Sequence, residues 1–300
     1  MCHLRTAGQC AEHLGNKQHT PPIGVGMLTV SLGPIPVPVA TMILMVALLV
    51  AAGTGRLAGR SRQTGIGNIL IDMLIGAFVV ARIAFVAVWF DTYRIAPWSM
   101  LDIRDGGFIP WIGMVAALLV AVWRGWNRVA VRKPLILGLA AGALVWEAMF
   151  GAIVMMNNTA LPNVALTTIA GKPVDLVALA AGKPMVINLW ASWCPPCRRE
   201  MPVLAAAQKH EKGVRFVFVN QGEDEATARN YLTAARLDLS DVLLDSAAGF
   251  GREVGSTALP TTLFYDANGR LVDTHLGELS AASLASKLNQ LRSRAHLNKE

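Results

Sequence analysis

Cys194 and Cys197, three residues apart with Pro195 and Pro196 between them, are the side chains of this chain best placed to do chemistry. Residues 185–190 (MVINLW) read as a buried strand and those from Cys194 onward as a helix. The pair therefore falls where a strand feeds a helix amino terminus. Unpaired backbone N–H groups and the positive end of the helix dipole meet there, and both favour a thiolate. Cys194 is the expected nucleophile. Pro195 and Pro196 suit a first helical turn, which tolerates missing N–H groups. Cys197, one turn on, can attack a mixed disulfide and release what Cys194 has captured. A structural zinc site needs two further ligands, yet there is no second Cys-x-x-Cys, and His210 and His275 are isolated. A purely structural disulfide across two residues closes a very small loop and stabilises little. A redox-active dithiol is the expectation, with no cofactor beyond its own disulfide and no metal.

The surrounding segments supply the frame. A second strand is expected over 214–220, a helix over 224–237 and a short strand over 242–244. Strands 261–265 and 271–275 flank Asn268-Gly269, a strong hairpin signal, and a last helix covers 281–292. This order predicts an α/β fold with one central mixed sheet and helices on both faces.

The first half differs. At 53% hydrophobic and 16% charged, the 300 residues are too apolar for a wholly soluble or a disordered protein. Apolar stretches at 34–53, 66–90, 108–123 and 134–156 predict about four membrane-spanning helices. Of the net charge of +7, +6 lies within residues 1–156. Arg56, Arg60 and Arg62 follow the first stretch, and Arg124, Arg128, Arg132 and Lys133 follow the third. In the loop between the second and third, Arg94 and Arg104 are offset by Asp91, Asp102 and Asp105. Positive loops stay cytoplasmic, which puts both termini outside the cytoplasm. Trp89, Trp98, Trp111 and Trp123 fall near span ends, as interfacial aromatics do. The basic excess thus orients a membrane protein and does not indicate nucleic acid. The polar start, with Cys2 and Cys10, has no signal-peptide core, and a natural start at Met27 fits it equally well.

WASWCPPCRREMP (190–202), followed by ALPTTLFYDANGR (258–270), resembles the membrane-anchored thioredoxin-like reductases of the TlpA type over about residues 160–295. The resemblance implies a thioredoxin fold and reduction of disulfides in partner proteins. It implies a cis-proline at Pro260 that exposes the backbone of Leu259 to an extended substrate strand. It also implies that Glu200, on the helix face of Cys194 and Cys197, tunes the cysteines or transfers protons. Trp193 takes the place of a family tryptophan that shields and shapes the site. Pro202 is expected to kink the helix.

The membrane half resembles prolipoprotein diacylglyceryl transferase through residues 30–37 (VSLGPIPV), Ala81-Arg82-Ile83 and Asp105-Gly106-Gly107-Phe108. Trp111 stands about where that family has its catalytic histidine, and no histidine occurs between His19 and His210, so transferase chemistry is not expected. Asp72, Arg82 and Glu147 lie within apolar stretches, where charges form internal ion pairs or line a binding cavity. No cysteine lies in the four stretches to relay electrons.

The expected organisation is a polar tail (1–33), a membrane domain (34–156) and a periplasmic thioredoxin-like domain (157–300) on the bacterial inner membrane. The expected partners are a disulfide-bearing periplasmic client, a separate membrane or periplasmic electron donor and the lipid bilayer. The alternatives are a transferase-like membrane protein with an appended redox module, and a dithiol copper-binding protein.

Overall fold

The computed structural model describes residues 29–32, 35–59, 65–94, 97–156 and 160–297. Cys2, Cys10, Arg60 and Arg62 lie outside these residues. The described part opens with an antiparallel hairpin of β1 (Thr29–Leu32) and β2 (Ile35–Pro38). The helix expected from residue 34 accordingly begins only at Val39. Prolines at 34, 36 and 38 deny the backbone the amides that a continuous helix requires. Then come α1 (Val39–Ala58), α2 (Ile66–Val88), the single turn α3 (Phe90–Tyr93), two 3-10 turns (Pro97–Met100 and Ile103–Asp105), α4 (Pro110–Asn127) and α5 (Val129–Met156).

Among the described residues three helices, α1, α2 and α5, are long and apolar enough to cross a membrane. The third expected span is a helix, α4, but is not one of them. Its 18 residues rise about 27 Å, and its last turn carries Arg124, which pairs with Asp72 of α2. Small residues let α1 and α5 approach closely. A Cβ added at Gly138 would lie 2.6 Å from the Ala51 carbonyl oxygen, and one at Gly142 would lie 2.9 Å from that of Ala47. Glu147 is exposed on α5.

The second half is built on one seven-stranded sheet. Its strands are β3 (Leu166–Thr168), β4 (Pro173–Val174), β5 (Met185–Trp190), β6 (Arg215–Gln221), β7 (Val242–Asp245), β8 (Thr261–Tyr265) and β9 (Leu271–Leu276). They lie in the order β4-β3-β7-β6-β5-β8-β9. β5, β6 and β7 are parallel, β8 runs antiparallel to β5, and β9 runs antiparallel to β8. This is a thioredoxin-like fold. β3, β4 and the five-residue helices α6 (Leu176–Ala180) and α9 (Gly249–Glu253) were not expected from the sequence. The other helices are α7 (Pro195–His210), α8 (Glu225–Ala234) and α10 (Ala281–Leu297). α8 stops three residues short of expectation, and α7 runs through Pro202 without a break.

Every residue of the central strand β5 is buried, and its side chains alternate between two cores. Met185, Ile187 and Leu189 face Leu176, Phe250 and Tyr265 on one side. Val186 and Trp190 face Met201, Leu204, Leu284 and Leu288 on the other. Period two therefore turns Asn188 towards α7, the helix that carries the cysteines.

Candidate functional site

Cys194 and Cys197 form a disulfide with Cα atoms 5.3 Å apart. Cys194 is the N-cap of α7, and its sulfur accepts the Cys197 N–H at 3.3 Å. Pro195 and Pro196 occupy the first helical positions, so the third amide is the first that can cap. The strand end fixes the approach: the Cys194 N–H donates to the Ala191 carbonyl and the Arg198 N–H to that of Cys194. Both cysteines are buried, whereas Pro195 is exposed and Pro196 half-buried. Trp193, next to Cys194 in the chain, is 67% exposed and presents a large apolar side chain to solvent.

Glu200 is not a solvated helix residue. It is completely buried one turn beyond Cys197. Asn188 Nδ2 donates to its Oε1 at 2.7 Å and the Leu279 N–H to its Oε2 at 2.9 Å. Asn188 Nδ2 also reaches Thr262 Oγ1 of β8 at 3.0 Å, while Asn188 Oδ1 is buried without a partner. Burial pushes the Glu200 carboxyl up to about 8, against the two hydrogen bonds that favour its ionised form, and the negative Glu278 adds to the rise. Arg199 is turned away and pairs with Glu278 at 2.6 Å.

The Leu259–Pro260 peptide is cis, with Pro260 buried and Leu259 half-buried against the core cluster that contains both cysteines. The Pro260 carbonyl accepts the Gly277 N–H at 2.9 Å, tying the loop before β8 to the end of β9. All eight residues singled out in the sequence thus lie on α7, at its start, or in the loop before β8.

Glu223, in the loop after β6, escaped the sequence reading. Its carboxylate accepts the Ser192 N–H at 2.8 Å, the Ser192 hydroxyl at 2.5 Å and Asn220 Nδ2 at 2.6 Å. It therefore anchors the turn two residues before Cys194. No local pattern points to it, because the contact exists only once β5 and β6 lie side by side. Among the described residues no group of three or more His, Cys, Asp or Glu side chains could hold a metal ion.

Comparisons with known proteins identify relatives of this chain. The Redoxin family matches residues 156–291. The thiol-disulfide oxidoreductase ResA of Bacillus subtilis (strain 168) is 29% identical over 171 residues, which cover 55% of this chain and 94% of that protein. The thiol:disulfide interchange protein DsbE of Tatumella citrea is 31% identical over 174 residues, covering 52% of this chain and 89% of that protein. The chain belongs to the thiol-disulfide oxidoreductases of the ResA and DsbE type. The Redoxin match lies in the second half of the chain, the part with the thioredoxin-like sheet. A solved thiol:disulfide interchange protein of the thioredoxin family from Chlorobium tepidum TLS is 28% identical, covering 44% of this chain and 95% of its own, with a TM-score of 0.39.

Proposed function

We propose that this oxidoreductase is a membrane-tethered reductase of disulfides in periplasmic proteins, with Cys194 as nucleophile and Cys197 as the resolving thiol. The observation that carries the reading is the placement of Cys194 as the α7 N-cap, its sulfur on an amide hydrogen and one bond from Cys197. In the reduced enzyme the Cys194 thiolate attacks one sulfur of a client disulfide, and the client's other sulfur leaves as a thiolate and takes up a proton. Cys197 then loses its proton, attacks Cys194 Sγ and expels the first client sulfur, which is protonated in turn. Two electrons and two protons have passed to the client, and the Cys194–Cys197 disulfide is restored. A separate membrane or periplasmic dithiol returns them.

Glu200 is the proton-holding group of this scheme. A buried carboxyl that titrates at about 8 exchanges protons near neutral pH, where Cys197 must lose one. A half-turn of the Asn188 amide would present its unpartnered oxygen to the protonated acid. Leu259 offers backbone groups to an extended client segment, and exposed Trp193, with Pro195, offers it an apolar surface.

The first half supplies the tether. Leu49, Ile83, Leu118 and Leu144 lie exposed on α1, α2, α4 and α5, as lipid-facing residues would. With α4 counted as a crossing, which makes four, the basic residues that follow α1 and α4 put the dithiol outside the cytoplasm. We divide the chain accordingly into a tail (1–33), a membrane domain (34–156) and a periplasmic domain (157–300).

The test uses the full chain in detergent micelles, reduced and then offered insulin. Wild type is expected to cleave the insulin disulfides and Cys194→Ser to be inactive. Cys197→Ser should accumulate a mixed disulfide whose partner can be identified. Full activity in Cys194→Ser refutes the mechanism.

A further inference from the structure

Arg82, Asp105 and Gly107 have no part in the dithiol chemistry, yet all three are buried where the two halves of the chain meet. Arg82, near the end of α2, donates to Asp105 Oδ1 at 2.8 Å and to the carbonyls of Ser99, Met100, Asp102 and Gly107. Each of its guanidinium nitrogens is engaged, so the residue acts as a clamp on the loop between α3 and α4. Asp105 uses its second oxygen for the Tyr93 hydroxyl at 2.5 Å and for Ser280 Oγ at 3.0 Å.

Ser280 belongs to the redox domain. Its Oγ also accepts the Ser283 N–H at 3.1 Å, capping the first turn of α10. Next to it Ala282 packs against Phe85 and Tyr93. Gly106, at φ 62°, lies close to the His275 ring, and a Cβ there would be 2.7 Å from Cε1. The residue before Ser280 is Leu279, whose N–H holds the Glu200 carboxylate.

We infer that Asp105 is a positioning residue for the dithiol. Clamped by Arg82, it holds Ser280 and so keeps the Leu279 N–H on Glu200. The membrane half is thereby wired to the redox site, in addition to carrying it. A second contact grips the other loop at the site: the Thr29 N–H of β1 donates to the Gly255 carbonyl at 3.1 Å, and Thr29 Oγ1 accepts the Thr257 N–H at 3.2 Å, three residues before Pro260. This inference rests on the reading of Glu200 as the proton-holding group. The groups that face Glu200 are Asn188 of β5, the Leu279 amide and Glu278, itself paired with Arg199. The two thiols share its helix. Loss of the Leu279 hydrogen bond disfavours the ionised carboxylate and leaves the others in place.

The experiment measures the rate of Cys194 alkylation by iodoacetamide against pH, in the reduced full chain in detergent micelles. Wild type should show an inflection that is lost in Glu200→Gln. In Ser280→Ala, and in the same direction in Asp105→Asn, that inflection should move up by about half to one pH unit. Ser280→Thr, which keeps the hydroxyl, should restore it, and Ser280→Ala should add no shift in the Glu200→Gln background. An unmoved inflection in Ser280→Ala, even with a lower melting temperature, overturns the inference, as does an equal shift without Glu200. If wild type and Glu200→Gln give one profile, the Glu200 reading fails first and takes the inference with it.

Discussion

Glu200 makes the stability of the oxidised protein depend on pH in a direction opposite to that of most carboxylates. Its ordinary value is 4.5, and in the folded chain burial holds it at about 8. Between those values the unfolded chain releases a proton that the native chain retains. Stability is therefore full below pH 4.5 and is lost as pH rises towards 8. At 1.36 kcal/mol per pH unit, ionising the unfolded state alone costs up to about 5 kcal/mol over the whole interval, of which about 2 kcal/mol falls between pH 6.5 and 8. Glu200→Gln keeps the shape and an acceptor for the Leu279 N–H, and it removes the titration. Urea unfolding of the oxidised full chain, followed across pH 6.5 to 8, should show the wild-type midpoint falling and the Glu200→Gln midpoint flat. The protonated carboxyl stretch in the infrared difference between the two proteins should persist to about pH 8. Parallel midpoints in the two proteins, or a carboxyl band that vanishes near pH 5, would show that Glu200 ionises like a surface residue and would refute the argument.

Other substitutions probe the supports. Glu223→Ala strips three hydrogen bonds from the turn before Cys194 and leaves buried Asn220 Nδ2 unpaired. A loss of about 3 kcal/mol in urea unfolding is expected, with slower insulin reduction. Gly106→Ala forces a side chain at positive φ against His275 and should cost about 2 kcal/mol, read as faster proteolytic separation of the two halves. Burial holds His275 down to about 4, so its share of stability is complete above pH 6.5 and is lost as pH falls towards 4. His275→Gln should flatten that acid limb of the urea midpoint. Gly138→Leu drives a side chain into the Ala51 carbonyl and should part α1 from α5, lowering the melting temperature in micelles.

The site was largely legible because its pieces are local. Cys194 to Glu200 is one stretch of chain whose strand-to-helix junction, proline placement and three-residue spacing fix its geometry before any tertiary contact forms. The 261–276 hairpin was legible through Asn268-Gly269 for the same reason. What the sequence hid depends on distant pairs. Glu223 gains its role only when β6 lies beside β5, and Asp105 only when Ser280 is brought across 175 positions of sequence. β3 and β4 are too short, and too mixed in burial, to show a period. The apolar run from residue 34 misled because hydropathy does not register that prolines lack amide hydrogens. Burial of Glu200 was equally invisible: charge and helical spacing gave its face, but not the Leu279 segment laid over it.

The two prolines between the cysteines have a last effect. With positions 195 and 196 unable to donate, the first turn of α7 has a single amide within reach of the Cys194 sulfur, and it belongs to the residue whose thiol ends the reaction. Stabiliser and competitor of the nucleophile are thus parts of one amino acid, the first held in its main chain and the second in its side chain. Exchange of that side chain alone silences the competitor while the stabiliser stays in post, so the attack still takes place and the cycle halts with the client held on Cys194.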